Sequence, residues 1–146
     1  MLHDAEEIIA KQADELYQDG VILIQLFKDL NVLQLTFKVQ PDPAQFRHAY
    51  QLAIGTAIGK GVKGWLTDAR QITRMLPENQ VWLKQQMAPL LQAGLQKFAI
   101  LMTPECFVMT NPDKVYNKPT SGPENPTADK IKVHFDREEA FKWLVQ

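Results

Sequence analysis

VKGWLTDAR, Val62 to Arg70, decides how the rest of the chain is read. Val62, Trp65 and Leu66 are apolar, Gly59 and Gly61 lead in, and the stretch closes on the charged residues Asp68 and Arg70. That is the signature of a buried strand. Helical patterns lie on both sides, at 44–58 and 78–91. A strand between two helical crossovers is the centre of a mostly parallel α/β sheet. Ligands and partners of such sheets meet the carboxyl ends of the strands. Asp68 and Arg70 stand two apart in an extended segment, so they share a face at that end.

Upstream, Pro41-Asp42-Pro43 stops one element and starts another, with Asp42 as N-cap and Pro43 at the first helical position. Phe46, Ala49, Tyr50, Ala53 and Ala57 recur on one helical face, widened by Ile54 and Ile58. Gly59 and Gly61 end this helix by allowing positive φ. GKGVKG lies after a helix and before a strand, the reverse of the phosphate-cradling order, and lacks the terminal Lys-Ser/Thr. Before the helix, VILIQLF (21–27) is apolar on nearly every residue, and 32–39 alternates Leu33, Leu35, Phe37 and Val39 with polar residues. These predict an antiparallel hairpin. Asp4 with Glu7 resembles a capping box, and Ala5, Ile9, Ala13 and Leu16 follow at helical spacing. Residues 1–18 are therefore expected as an N-terminal helical extension over about 4–17, with Leu16-Tyr17 also able to begin extended structure. The α/β domain is expected over 19–146.

Downstream, 71–76 reads as a loop and Pro77 opens the next helix. Val81, Trp82, Ala88 and Leu91 mark one face of it, and Leu83, Met87 and Leu90 a neighbouring one. Pro89 should kink or split it, and Gly94 stops it. KFAILM (97–102) is another buried strand, and Thr103-Pro104-Glu105 caps a short helix. Cys106 lies near that helix's start, where a thiol pKa can fall, but Phe107, Val108 and Met109 around it favour a buried inert thiol. Residues 111–130 hold Pro112, Pro119, Pro123 and Pro126, too many for a regular element and enough for a functional loop or lid. Ile131, Val133 and Phe135 alternate with Lys130, Lys132 and His134, as in an edge strand with a basic outer face. Asp136 with Glu139 is a second capping box before the final helix, whose inner face is Ala140, Phe141 and Leu144.

The fold expected is thus single-domain α/β: a mixed, mostly parallel five-stranded sheet (about 21–27, 32–39, 62–68, 97–102 and 131–135), an N-terminal antiparallel hairpin and flanking helices. Trp65, Phe98, Ile100 and Leu35 are expected in its core. At 146 residues the chain is long enough for one real core. A net charge of -1 gives no drive towards nucleic acid or an anionic membrane surface. The apolar runs are too short to insert in a bilayer. The acidic N-terminus lacks the apolar core of a secretory signal, and one cysteine forms no internal disulfide, so a cytoplasmic protein is expected. No metal-binding side chain stands at helical spacing from His48, and His3, His48 and His134 lie on segments with no reason to converge. No nucleophile–base signature, metal cluster or cofactor fingerprint is present, so the reading is not an enzyme, with no catalytic residues, metal or cofactor.

LYQDGVILIQLFKDLNVLQLTFK, GWLTDARQI, ENQVWLKQQMAPLLQAGLQKFAILMTPE and VHFDREEAFKWL together cover most of the chain. They resemble the SpoIIAA-like branch of the STAS-domain superfamily, small bacterial α/β proteins. The resemblance implies a mixed sheet with helices packed on it and a non-enzymatic regulatory or protein-interaction role. Sporulation-type members carry a phosphorylatable serine after the central strand. The matching stretch here, Asp68 to Thr73, has no serine; Thr73 is the nearby hydroxyl and Thr67 lies within the strand, so the phospho-switch does not carry over. The expected interaction surface is Asp68, Arg70, Thr73 and Arg74 with Glu105 on the neighbouring turn. Its partner would be a protein, with a homodimer also open. The alternative is a binder of a small apolar or lipid-like ligand under the 111–130 loop, in a cavity near Trp65, Phe107 and Tyr116.

Overall fold

The computed structural model describes residues 13–105, 107 and 130–146. Six strands and three longer helices run in the order β1 (Ala13–Gln18), β2 (Ile22–Phe27), β3 (Val32–Phe37), α1 (Pro43–Lys60), β4 (Gly64–Asp68), α2 (Pro77–Gln92), β5 (Lys97–Leu101), β6 (Ile131–His134) and α3 (Arg137–Leu144). The strands form one sheet in chain order, β1 to β6. β2 runs antiparallel to its neighbours β1 and β3; β3, β4, β5 and β6 are parallel. β4 lies inside the sheet, as VKGWLTDAR predicts, and all five of its residues are buried.

Local chemistry explains the connections. Asp19 organises the first turn: its carboxylate accepts from Val21 N at 2.8 Å, Ile22 N at 2.9 Å and the Tyr17 hydroxyl at 2.8 Å. These donors, the Ile22 and Val21 amides foremost, hold its carboxyl below the usual range. Asn31 takes the left-handed conformation that closes the second turn. Its carbonyl accepts from Lys63 N and Gly64 N, both at 3.1 Å, and so starts β4 beside β3. Asp42 and Gln45 form a reciprocal capping box with Pro43 at the first position of α1. Gly61, at φ 62°, ends α1, whereas Gly59 stays helical.

Leu33, Leu35, Phe37, Trp65, Phe98 and Ile100 point to one face, where α1 and α2 pack. Phe27, Val32, Leu66, Ala99 and Leu101 point to the other, under Ala140, Phe141 and Leu144 of α3. Gly64 lets α3 approach: a Cβ there would lie 2.9 Å from Val32 Cγ2 and 3.6 Å from Leu144 Cδ2. The first face is aromatic. Trp65 stacks between Tyr50 (6.2 Å, 6° between planes) and Phe98 (5.4 Å, 10°). Phe46 links Tyr50 to Trp82 at the edge of α2. Thr67 Oγ1 accepts from Trp65 Nε1 at 2.6 Å and from the Tyr50 hydroxyl at 3.1 Å, so neither buried donor is orphaned.

Five expectations need correction. Among the described residues the sheet has six strands rather than five, because Ala13 to Gln18 is strand, not the end of a helix. The register against β2 shifts between Glu15 and Tyr17, a bulge that puts exposed Leu16 out of phase. It erases the two-residue alternation that marks a strand. Residues 1–12, which carry the rest of the expected helix, lie outside the described residues. Pro89 does not split α2, which runs on to Gln92. The carbonyl it leaves without a helical donor belongs to exposed Gln85, where water is at hand. The inner face of α2 is Leu83, Met87 and Leu90, while Val81 is exposed. Finally, Asp136 caps α3 through Glu138 N rather than in a box with Glu139, and His134 is buried under α3 instead of lying on a basic outer face.

Leu35, Trp65, Phe98 and Ile100 are all fully buried, as expected. Trp65→Ala removes the middle of the aromatic stack and should lower the unfolding free energy by about 3–5 kcal/mol. Urea denaturation of the variant beside wild type reads it; an unchanged midpoint would contradict this packing.

Candidate functional site

Asp68 is the last residue of β4, and Arg70 follows two positions on. The structure brings them together as a fork. Arg70 Nε donates to Asp68 Oδ1 at 3.0 Å, Arg70 Nη2 to Oδ2 at 2.8 Å, and the Arg70 backbone N–H to Oδ1 at 3.2 Å. The Asp68 side chain is only 9% exposed and that of Arg70 47%. A carboxylate so sheltered needs donors, and residue 70 supplies three. The pair therefore shapes the chain as it leaves the sheet, helped by Ala69 N, which donates to Leu101 O at 2.7 Å.

The loop beyond is held by one amide. Gln40, just past β3, accepts through Oε1 from Thr73 N at 2.6 Å, Thr73 Oγ1 at 3.1 Å and Arg74 N at 3.4 Å. Its Nε2 donates to Arg74 O and Pro41 O, each at 3.1 Å. A primary amide has both donors and acceptor lone pairs, and Gln40 uses both kinds to staple the β4–α2 loop to the β3–α1 linker.

Between these linkers lies a cleft of about 330 Å³, walled by Gln40, Pro41, Phe46, Arg74, Leu76 and Asn79. Its floor is rigid. Asn79, buried at the start of α2, accepts from Arg47 Nε at 2.7 Å, and Arg47 also lies 5.3 Å over the Trp82 ring. Gln80 Nε2 donates to Met75 O at 3.0 Å. Among the described residues no ion pair engages Arg74 at the rim. Asp42, the acidic wall residue, has its carboxylate bonded to Gln45 N. The opening thus combines apolar walls, fixed amides, one cation and the capping carboxylate of Asp42.

Of the expected surface, Asp68 and Arg70 form one cluster, and Thr73 and Arg74 another through Gln40. Glu105 is exposed on the turn after β5 and belongs to neither. Thr67 is sealed in the core, whereas Thr73 is exposed. Gln40 and Asn79 are the residues that sequence reasoning missed. Both are polar residues next to element boundaries, where nothing in the pattern separates a staple from an ordinary surface amide.

No protein-family model matches the chain, and no curated protein matches it.

Among the described residues, no group of three or more His, Cys, Asp or Glu is placed to hold a metal ion. None of their helices is long and apolar enough to cross a membrane. Cys106, Tyr116 and residues 111–129 lie outside the described residues, and with them the loop expected to cover an apolar ligand. Trp65 is closed in by Tyr50 and Phe98, and Phe107 packs edge-on against Phe135 at 5.7 Å.

The two partners of the fork should respond unequally. Arg70→Gln leaves a sheltered carboxylate with little but one backbone donor and should cost about 2–3 kcal/mol. Asp68→Asn leaves a half-exposed guanidinium that water can serve and should cost about 1 kcal/mol. Thermal unfolding of both variants tests this; equal small losses would show the pair to be a surface ornament of the loop. For Gln40→Ala, amide hydrogen exchange at Thr73 and Arg74 should quicken while β4 stays protected. Its stability loss should stay near 1 kcal/mol, since the bonds are exposed.

Proposed function

We propose that this chain is a non-enzymatic regulatory domain of the STAS type, in the SpoIIAA-like branch, that recognises a protein partner in the bacterial cytoplasm. The six-stranded mixed sheet with packed helices accommodates the resemblance carried by LYQDGVILIQLFKDLNVLQLTFK and GWLTDARQI. The observation that carries the reading is the stapled loop at the strand ends. Gln40, Asn79 and Gln80 are bonded to backbone or to neighbouring side chains, so their amides fix the shape of the opening. A preformed opening with Arg74 at its rim suits recognition, where rigidity limits the entropy lost on binding.

The test is affinity capture from a bacterial lysate with the immobilised protein and its Arg74→Glu variant, after thermal unfolding has shown equal stability. The expected result is a protein retained by wild type and lost by the variant. Equal retention would move the surface elsewhere, and no protein enriched over the bare matrix would overturn the reading.

A further inference from the structure

His134 ends β6, opposite Leu101 of β5, and its ring turns beneath α3. The residue is 6% exposed, and its ring centroid lies 5.5 Å from that of Trp143, tilted by 46°. Its Nε2 is buried and has no hydrogen-bond partner among the described residues. A neutral imidazole tolerates that position at the cost of one unmade bond. An imidazolium does not, because its second N–H would be buried without an acceptor.

The charges around the ring do not rescue the cation. On β6 itself Lys132 repels it. In the link to α3, Asp136 attracts it, but the Asp136 carboxylate caps the helix through Glu138 N at 3.1 Å. On α3, Glu139 and Lys142 border the same groove with opposite signs. From β5 come Leu101, which is apolar, and Lys97, whose Nζ lies 5.4 Å from the Trp143 ring and donates to Trp143 O at 2.7 Å. A cation over Trp143 would gain a cation–π attraction. Stranding a charge out of water costs more. Burial therefore wins, and it holds the His134 pKa below the ordinary histidine value.

Helix α3 is poorly equipped to resist. It has eight residues, far fewer than a helix needs to stand alone in water, so its order depends on packing. A groove of about 400 Å³ runs between it and β6 beside His134, Phe135 and Trp143. We propose that His134 is an acid-sensitive latch: protonation of its imidazole releases α3 from the sheet and uncovers the apolar face of Phe27, Val32, Leu66, Ala99 and Leu101. The sign follows from a depressed pKa. With the helix free, the ring titrates near about 6.5. Docking is then at full strength above that pH and weakens as pH falls through it, because the released state binds a proton that the docked state refuses.

Hydrogen exchange of the whole protein at about pH 8 and about pH 5, corrected for intrinsic rates, tests the latch across this window. In wild type, protection of amides 140–144 should fall by up to about tenfold for each unit of pKa depression, while β4 stays protected. His134→Phe and His134→Asn should both lose this pH dependence. Unchanged α3 protection in wild type, or the same fall in both variants, would overturn the latch. Because the variants can fail to fold, the His134 ring is also titrated by NMR in wild type. A midpoint at or above about 6.5 would defeat the proposal by itself.

Discussion

Trp65 is fully buried and carries an N–H that must be satisfied away from water. That one requirement fixes a good deal of the molecule. The acceptor is Thr67 Oγ1, two residues along the same strand and therefore on the same face. The same oxygen receives the Tyr50 hydroxyl from α1. Strand β4 and helix α1 are thus registered by a shared hydroxyl before any apolar contact is considered. The ring planes then continue the register sideways, to Phe98 on β5 and through Phe46 to Trp82 on α2. Loss of the hydroxyl at Thr67 would take from the buried Trp65 N–H its acceptor, a penalty of about 1–3 kcal/mol.

With α1 and α2 on one face, the sheet adds strands in one direction from β3 to β6. It does not reverse, so the crevice that a reversal of strand order opens between outgoing helices is missing from β3, β4 and β5. The cleft forms instead between the two linkers that enter α1 and α2. This explains why its walls are loop and helix-start residues, and why backbone-directed amides, chiefly Gln40 and Asn79, do most to define it.

What could be read from the sequence follows from how local each signal is. Asp42, Pro43 and Gly61 act within a turn of their own position, and they bound α1 as expected. The burial of β4 was legible from Trp65 and Leu66, since a strand covered on both faces needs apolar residues of both parities. β1 was not legible, because its bulge breaks the period by which strands are recognised. His134 misled for a similar reason: alternation assigned it to an outer face, but α3 covers that face of β6, and a helix arriving from later in the chain leaves no mark on the strand it covers. At the strand ends, Asp68 and Arg70 were visible as a pair because they are close in sequence. Gln40 reaches across thirty-three positions to Thr73, a partnership only the fold creates.

The strand order has one more implication. Among the described residues, every hydrogen-bonded pair of strands is also consecutive in the order β1 to β6. Among these six, no strand has to wait for a later one to be inserted beside it, as happens when sheets are wound outward from a central pair. The conformational search is correspondingly short, since loop closure grows costlier with the length of chain enclosed. As the polypeptide leaves the ribosome, β1 to β3 can zip as hairpins, β4 and β5 can each dock on a finished neighbour, and β6 with α3 arrives last. The sheet is then built as a wall is laid, course upon course from one side, with the final course sealing the second core.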